Sequence, residues 1–460
     1  MLSRRSLLAS AAAAVLPLPA TAARQTTLQI GTRVIEVEGR AATRYGVSQP
    51  SGAWGLTLDQ GDMLDVRLVN GLAVPSGLHW HGLNPPWRQD GVPYISAPPL
   101  LPGKQAEYRF PAQPTGTRWM HSHFGLQEQN LLAAPLIVRE ASAVKSGLQE
   151  VVVLFEDFSW KAPALLLEEL RKPKPTTAMA MSSASPAGGR PDLNDVVYDA
   201  FIANDRTLAD PAVFDVDNGE EVRLRLINGA ASTNFMIDLG ALDGTVVTVD
   251  GNPVAPLKVR EFPLAVAQRV DIALRMPDDG KAVPVLARGE GLTLQTGVIL
   301  RPPRAAVAKV MDVGVMAAPQ LTLVDELKLR ALEPLRERPI DRSIPVELTG
   351  DMAVYLWGMA VHSQGGAPAT IAKGERVELV MRNATMMAHP MHLHGHSFQV
   401  TEINGRALSG AVRDTVLVPP RTTVKVVFDA DNPGLWAYHC HNLYHLATGM
   451  FTTVVYEGFT

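Results

Sequence analysis

The chain has 460 residues, 46 % apolar and 19 % charged, with 42 basic and 46 acidic side chains and a net charge of −4. It is too long for one ordinary domain and apolar enough to build real cores. It lacks the basic clusters that nucleic acid or an anionic membrane surface would attract. Gly (37) and Pro (35) are both plentiful, as in turn-rich β proteins.

The N-terminus reads as an export signal over residues 1–22. Arg4 and Arg5 lead into an Ala/Leu stretch that ends at Ala20-Thr21-Ala22, a small-residue cleavage pattern. The paired arginines fit the twin-arginine type, the alternative being an ordinary secretory signal. The expected destination is the periplasm. No later apolar run is long enough to span a bilayer. A single cysteine, Cys440, excludes an internal disulfide, so a lone thiol in an oxidising compartment needs another reason to be there.

Three segments share one frame: Gly61–Asn70, Gly219–Asn228 and Gly374–Asn383. In each, Gly and an acid open an alternating run and Asn closes it nine residues later. Alternation at period two predicts a strand with one buried face. The copies start 158 and 155 residues apart, a period that signals duplicated domains. The frame runs on past the Asn. Offsets nine, eleven and twelve give His79, His81 and Gly82 in the first copy and His392, His394 and Gly395 in the third. In the middle copy they give Ile237, Leu239 and Gly240. The outer copies are therefore expected to share a metal site, with the middle copy a spacer whose histidines are replaced by aliphatics.

Further alternating runs bounded by Gly and Pro predict all-β architecture, a β-sandwich or barrel per copy. The expected domains are 23–142, 148–303 and 318–460, with linkers at Glu140–Gln149 and Arg301–Pro319. Residues 172–192 are low-complexity and predict a mobile loop. Ala162–Lys172 and Leu323–Leu335 are expected to be helical.

Ten of the twelve histidines fall into four motifs: His79-Trp-His81-Gly, His121-Ser-His123, His389-Pro-Met-His392-Leu-His394, and His439-Cys440-His441 followed by His445 and Met450. In a strand, residues i and i+2 share a face and i+1 takes the other. Each H-x-H pair thus offers two imidazoles side by side. Eight such imidazoles suit about three metals at two or three ligands each, with positions left open. Cys440 faces away from His439 and His441 and can join His389, His445 and Met450. Two imidazoles, a thiolate and a weak axial thioether form the blue-copper arrangement, an electron-transfer site. Core histidines or one zinc site are the alternative for a single pair, not for four pairs beside H-C-H. His362 and His396 lie outside the pattern and are read as structural.

These motifs resemble those of the multicopper oxidases, over nearly the whole mature chain. Gln127-Glu-Gln129, Met386-Met387-Ala-His389-Pro and Trp436-Ala-Tyr-His-Cys-His are closest to the bacterial copper-resistance oxidases. The resemblance implies three cupredoxin-like Greek-key domains and four copper ions. It assigns the type 1 copper to His389, Cys440, His445 and Met450, and the type 2 copper to His79 and His392. One type 3 copper goes to His81, His121 and His441, the other to His123, His394 and His439. The implied reaction is one-electron oxidation of donors coupled to four-electron reduction of O2.

Reducing O2 consumes protons, and Asp90 in Arg88-Gln-Asp-Gly matches the family's acidic position near the cluster; a plain turn is the other reading. Many bacterial relatives carry a carboxylate just after the last histidine, where this chain has Leu446 and Ala447. Asp414 in Arg-Asp-Thr-Val resembles the family segment near the type 1 site and is expected to orient a ligand there. Metal-oxidising relatives often carry a methionine-rich insert, of which Met179 and Met181 are only a stub. Met386, Met387 and Met391 beside His389 suit Cu(I) or plain packing. An open type 1 rim with an exposed imidazole edge is expected to favour phenolic and aromatic donors, with Cu(I) as a further substrate. A dedicated periplasmic cuprous oxidase, a copper nitrite reductase and a non-enzymatic three-domain scaffold are the alternatives. The nitrite reductase has no use for eight paired imidazoles, and a scaffold would not need the intact ligand set.

Overall fold

The computed structural model describes residues 25–172, 192–362 and 368–459. The export signal, the low-complexity segment and Met179 and Met181 lie outside them.

The described residues form six sheets in three pairs. In the first pair, a four-stranded sheet holding Met63–Asn70 is joined by a second holding Leu78–His81, Gly116–Ser122 and Ala133–Arg139. The alternation in sequence is what builds the core between them. Leu64, Val66 and Leu68 from one sheet meet Leu78, Trp80 and Met120 from the other. The middle pair has six and five strands, and the third has seven and five. Their cores are continuous with each other. The chain is an all-β protein of three β-sandwiches, as expected.

The repeated frame is one local structure made three times. Each run forms a strand closed by its Asn: Met63–Asn70, Glu221–Asn228 and Arg376–Asn383. Each Asn is buried and fixes the turn that follows. Asn70 Nδ2 donates to Val74 O and Leu100 O, and its Oδ1 accepts from Leu72 N. Asn383 does the same with Met387 O, Val418 O and Thr385 N. Asn228 bonds Thr233 O, Leu264 O and Ala230 N. The first carbonyl is four residues on in the outer copies and five in the middle one, so the middle turn holds one extra residue.

That residue shifts the register of the next strand, and a one-residue slip sends every side chain to the opposite face. In the outer copies Leu78 and Trp80, and Met391 and Leu393, enter the cores, so His79, His81, His392 and His394 point out of them. In the middle copy Phe235, Ile237 and Leu239 enter the core. The turn that follows agrees: Leu83 N donates to Trp80 O, and Leu242 N to Leu239 O. Leu239 therefore matches Trp80, not His81. The expectation that Ile237 and Leu239 stand in the histidine positions is corrected: those positions are taken by Asp238 and Gly240.

Pro163–Leu170 is helical, as expected for Ala162–Lys172. Leu323–Leu335 is not a helix. It makes turns over residues 324–328, then leaves them to pair Ala331 with Val254. The alanine and leucine content that suggested a helix is spent on contacts with the sandwiches, where Leu329 is fully buried. The Glu140–Gln149 connection contains a short helix, Ala141–Ser146. The second connection is longer than expected, since the first strand after Arg301 begins at Arg342.

Candidate metal centre

Two strands of the first domain, Leu78–His81 and Gly116–Ser122, pair with His79 opposite His121. In the third domain, His389–Leu393 and Leu435–Cys440 pair with His392 opposite His439 and Met391 opposite Cys440. The sheets thus present their H-x-H faces to one another, and eight imidazoles converge between domains 1 and 3. Ligand nitrogens gather into the sets His79–His81–His392, His81–His121–His441 and His123–His394–His439, each within 4.8 Å. His394 Nε2 and His123 Nε2 lie 3.0 and 3.2 Å from His439 Nε2.

The outer nitrogens of His79, His81, His121, His392, His394 and His439 are held, which decides which nitrogen faces inward. Asp90 lies between His79 Nδ1 and His394 Nδ1, at 3.0 and 2.9 Å. Glu128 Oε2 is 2.9 Å from His121 Nδ1, and its Oε1 is 3.7 Å from His441 Nδ1. His392 Nδ1 donates to Asp414 O at 2.8 Å, and His439 Nδ1 to Cys440 O at 2.9 Å. His81 is reversed: its Nε2 is 3.1 Å from Asp414 Oδ1, leaving Nδ1 inward.

Five inward nitrogens have no hydrogen-bond partner among the described residues, though all are buried: Nε2 of His79, His121, His392 and His441, and Nδ1 of His81. An orphaned buried donor or acceptor costs about 1–3 kcal/mol, so five together fit a site that metal ions complete. Burial and the neighbouring imidazoles push the pKa values of His81, His121, His123, His392, His394 and His441 well down, and burial brings His439 to about 4. The rings are neutral at physiological pH, the form that binds a metal.

Cys440 projects to the other side of its strand. Its Sγ lies 3.7 Å from Nδ1 of both His389 and His445, which are themselves 3.1 Å apart. Their outer nitrogens are covered: His389 Nε2 bonds Thr385 Oγ1 at 2.7 Å, and Asp195 Oδ2 lies 2.9 Å from His445 Nε2 without a hydrogen bond. Met450 is buried beside them, its N donating to His445 O and its O accepting from Cys440 N. Burial pushes the Cys440 thiol pKa far up, so a thiolate stands there only beside a cation. The donor set of thiolate, two imidazoles and a nearby thioether suits copper.

The sequence-predicted residues come together with two corrections. Asp414 is not at the thiolate site. It sits in the bend just before the strand Thr415–Val418 and reaches His81 and His392, because the pairing of His392 with Thr415 sets it at the cluster. The expected exposed imidazole edge is also absent: His389 and His445 are fully buried. Trp357 lies over the His445 ring at 4.0 Å between centroids, and Thr385 and Asp195 cover the outer nitrogens. Met387 is buried, and Met386 Sδ lies 3.6 Å from Arg421 Nη2. His396 is structural, stacked on Tyr456 and bonded to its hydroxyl at 2.7 Å, while His362 is exposed.

Sequence reasoning missed four residues that hold ligand candidates or their partners: Glu128, Asp195, Thr385 and Arg269. Glu128 was visible in Gln127-Glu-Gln129, but nothing local shows that its carboxyl turns toward His121. Asp195 and Arg269 come from the middle domain, where no motif pointed. A cavity of about 20 Å³, room for a water, adjoins His121, His123, Glu128, His439, His441 and Leu446.

Three stacked β-sandwiches, with paired imidazoles between the outer two and a separate thiolate site, define a multinuclear copper oxidoreductase. Comparison with known proteins agrees. Multicopper oxidase family profiles match residues 36–143, 149–295 and 337–458. The chain is 33 % identical over 414 residues to the multicopper oxidase MmcO of Mycobacterium tuberculosis, covering 86 % of this chain and 80 % of that one. It is 27 % identical over 575 residues to copper resistance protein A of Escherichia coli, covering 96 % and 94 %. The crystal structure of a multi-copper oxidase from Pseudomonas thermotolerans superposes with a TM-score of 0.70 at 25 % identity, over 94 % of this chain and 98 % of that one. The chain belongs to the multicopper oxidase family and is an oxidoreductase with O2 as acceptor.

Proposed function

We propose that the chain holds four copper ions and couples the one-electron oxidation of phenolic or aromatic donors, and of Cu(I), to the reduction of O2 to two waters. Four electrons and four protons are taken up per O2. The observation that carries this reading is the set of five buried, unpartnered imidazole nitrogens that converge beside a separate buried Cys–His–His site.

The ligand roles follow the groupings. His389, Cys440, His445 and Met450 would hold the type 1 ion, and His79 and His392 the type 2 ion. His81, His121 and His441 would hold one type 3 ion, and His123, His394 and His439 the other. Bound there, copper supplies one-electron redox chemistry and open positions for dioxygen. The chain supplies the rest. The peptide bonds flanking Cys440 join the thiolate site to His439 and His441, a short covalent path for an electron. Asp90 and Glu128 flank four of the imidazoles, and together with Asp414 they are the carboxyl groups at the cluster. With Leu446 and Ala447 after His445, Glu128 is the acid on the cavity side.

A donor meets the layer over His445 rather than a bare imidazole. Tyr355 and Trp357 point inward, and Val354 and Leu356 beside them are exposed. This apolar surface suits an aromatic donor. For Cu(I), Met386 is the accessible thioether of the pair; the Arg421 guanidinium beside it disfavours a cation, and the buried Met387 packs. We divide the chain as an export signal over 1–22, probed by replacing Arg4 and Arg5 with Lys, and domains at 23–142, 148–303 and 318–460, and place it in the periplasm. Among the described residues no helix is long and apolar enough to cross a membrane.

The experiment is steady-state O2 uptake by the copper-loaded protein with a phenol, Cu(I), Fe(II) and Mn(II) side by side. Uptake is expected with the phenol and with Cu(I). Brisk uptake with Cu(I) and none with any phenol would make this a dedicated cuprous oxidase. No uptake with any donor would leave a non-enzymatic scaffold.

A further inference from the structure

The middle domain carries no histidine motif, yet one of its side chains is linked to the cluster histidines by a chain of two hydrogen bonds. Arg269 opens the strand Arg269–Arg275 and is fully buried. Its guanidinium grips the Asp414 carboxylate from two sides: Nη1 donates to Oδ1 at 2.7 Å and Nη2 to Oδ2. Such fork-to-carboxylate pairing fixes direction as well as charge. The fork is held in turn. Nη1 also donates to Ala267 O at 2.8 Å, Nε to Thr117 O in domain 1 at 3.3 Å, and the Arg269 amide to Asp250 Oδ1 at 2.9 Å. Asp414 then reaches two cluster rings: Oδ1 stands 3.1 Å from His81 Nε2 and 2.9 Å from Thr415 Oγ1, and its carbonyl accepts from His392 Nδ1.

The consequence shows in the ring of His81. Four cluster histidines leave Nε2 unpartnered and inward, whereas His81 leaves Nδ1. The ring is reversed because its Nε2 faces the carboxylate that Arg269 aims. The packing leaves no slack for another arrangement. Gly82 adopts φ +86°, and a Cβ there would stand 2.7 Å from Arg269 Nη2 and 2.9 Å from Asp414 Oδ2. Three domains meet at this point, the first through Gly82 and Thr117, the second through Arg269, the third through Asp414.

We infer that Arg269 is a positioning residue for the metal cluster: by aiming Asp414 it sets which nitrogen of His81 faces inward and steadies His392. The middle domain is therefore part of the site's framework and not a spacer. This inference rests on the copper reading above.

The test uses the full-length, copper-loaded protein. Arg269→Met, Arg269→Lys and a control, Arg225→Met, are dialysed against graded EDTA. Copper per chain, blue absorbance per chain, the type 2 electron paramagnetic resonance spectrum and the melting midpoint are then measured. Arg225 is an equally buried middle-domain arginine paired with Asp271 and Glu150; it also bonds Thr117 Oγ1 at 3.0 Å but pairs with neither oxygen of Asp414. Arg269→Met is expected to release cluster copper at about 10- to 100-fold lower EDTA and to alter the type 2 spectrum, while keeping its blue absorbance. Arg269→Lys, which retains the charge without the fork, is expected to fall between. Arg225→Met is expected to melt lower yet hold copper as the wild type does. If Arg269→Met matches Arg225→Met in copper retention and spectrum, Arg269 is interdomain packing only and the inference fails. Should Arg269→Met not fold, Arg269→Lys decides: wild-type retention and spectrum overturn the inference. A wild type that takes up no copper overturns the copper reading and the inference together.

Discussion

The strands that follow Asn70 and Asn383 differ from the strand that follows Asn228 by a single residue in the turn between. In the outer copies the turn closes on the fourth residue, and the alternation that buries Trp80 and Leu393 sends histidines outward toward a shared space. In the middle copy it closes on the fifth, and Ile237 and Leu239 go inward. Glu290 and Asn234 secure the longer turn: Asn234 Nδ2 donates to Glu290 Oε2, Glu290 N to Asn234 O, and Val266 N to Asn234 Oδ1. One framework can thus be loaded or left empty by two independent means, the residue type and the register. Here the middle copy differs in both.

The largest effect is expected at the loaded end. Cys440→Ser should abolish the blue colour and oxidase activity while the three-ion cluster stays bound, because the cluster's eight imidazoles do not include Cys440. Visible absorbance and copper per chain check this, and loss of all copper would show that the two sites are not separate.

Next comes an attempt to restore histidines to the middle copy. Ile237→His with Leu239→His matches the outer motifs by position in sequence, but both side chains enter the core. A loss of about 3 kcal/mol is expected for each buried, unpartnered imidazole, with no additional copper. Asp238→His with Gly240→His places the rings on the outward face and should cost far less, mainly through the positive φ of Gly240. Urea unfolding of the two double variants gives the order. Equal stabilities would refute the register shift.

Asp90→Asn should weaken the hold on His79 and His394 and lower cluster copper affinity by about 10- to 100-fold, with the blue site unaffected. Chelator titration reads this directly.

The smallest effect concerns the longer turn itself. Burial pushes the Glu290 carboxyl up to about 6, against the pull of Asn234 and Leu321 N. An acid raised on folding binds its proton more tightly in the native state. Its stabilisation is full below the unfolded value near 4.5 and falls by about 2 kcal/mol as pH rises through 6. Glu290→Gln should flatten that decline in unfolding free energy between pH 4.5 and 7, and an unchanged slope would count against it.

Much of this was legible in the sequence because the informative signals are local. H-x-H on a strand fixes two imidazoles on one face, and H-C-H turns the thiol to the other; both follow from the pleat alone. The Gly…Asn frame carried the threefold repeat for the same reason. What could not be read depends on distance or on a single insertion. Counting a fixed offset from Asn228 placed Ile237 and Leu239 in the histidine positions, since an extra turn residue leaves no mark in composition. Asp414 reaches the cluster through the register of the strand that follows it, and Arg269 lies 145 residues from its carboxylate. The cover over His445 comes from Trp357 and Asp195, which sit in different domains, so the bare imidazole edge suggested by the missing insert was not found.

Copper content of the purified, reconstituted chain, measured by elemental analysis with paramagnetic resonance, decides whether four ions are held. About four copper ions per chain are expected, with one type 1 and one type 2 signal visible and the remaining pair silent. A chain that binds one zinc and no copper would contradict this reading.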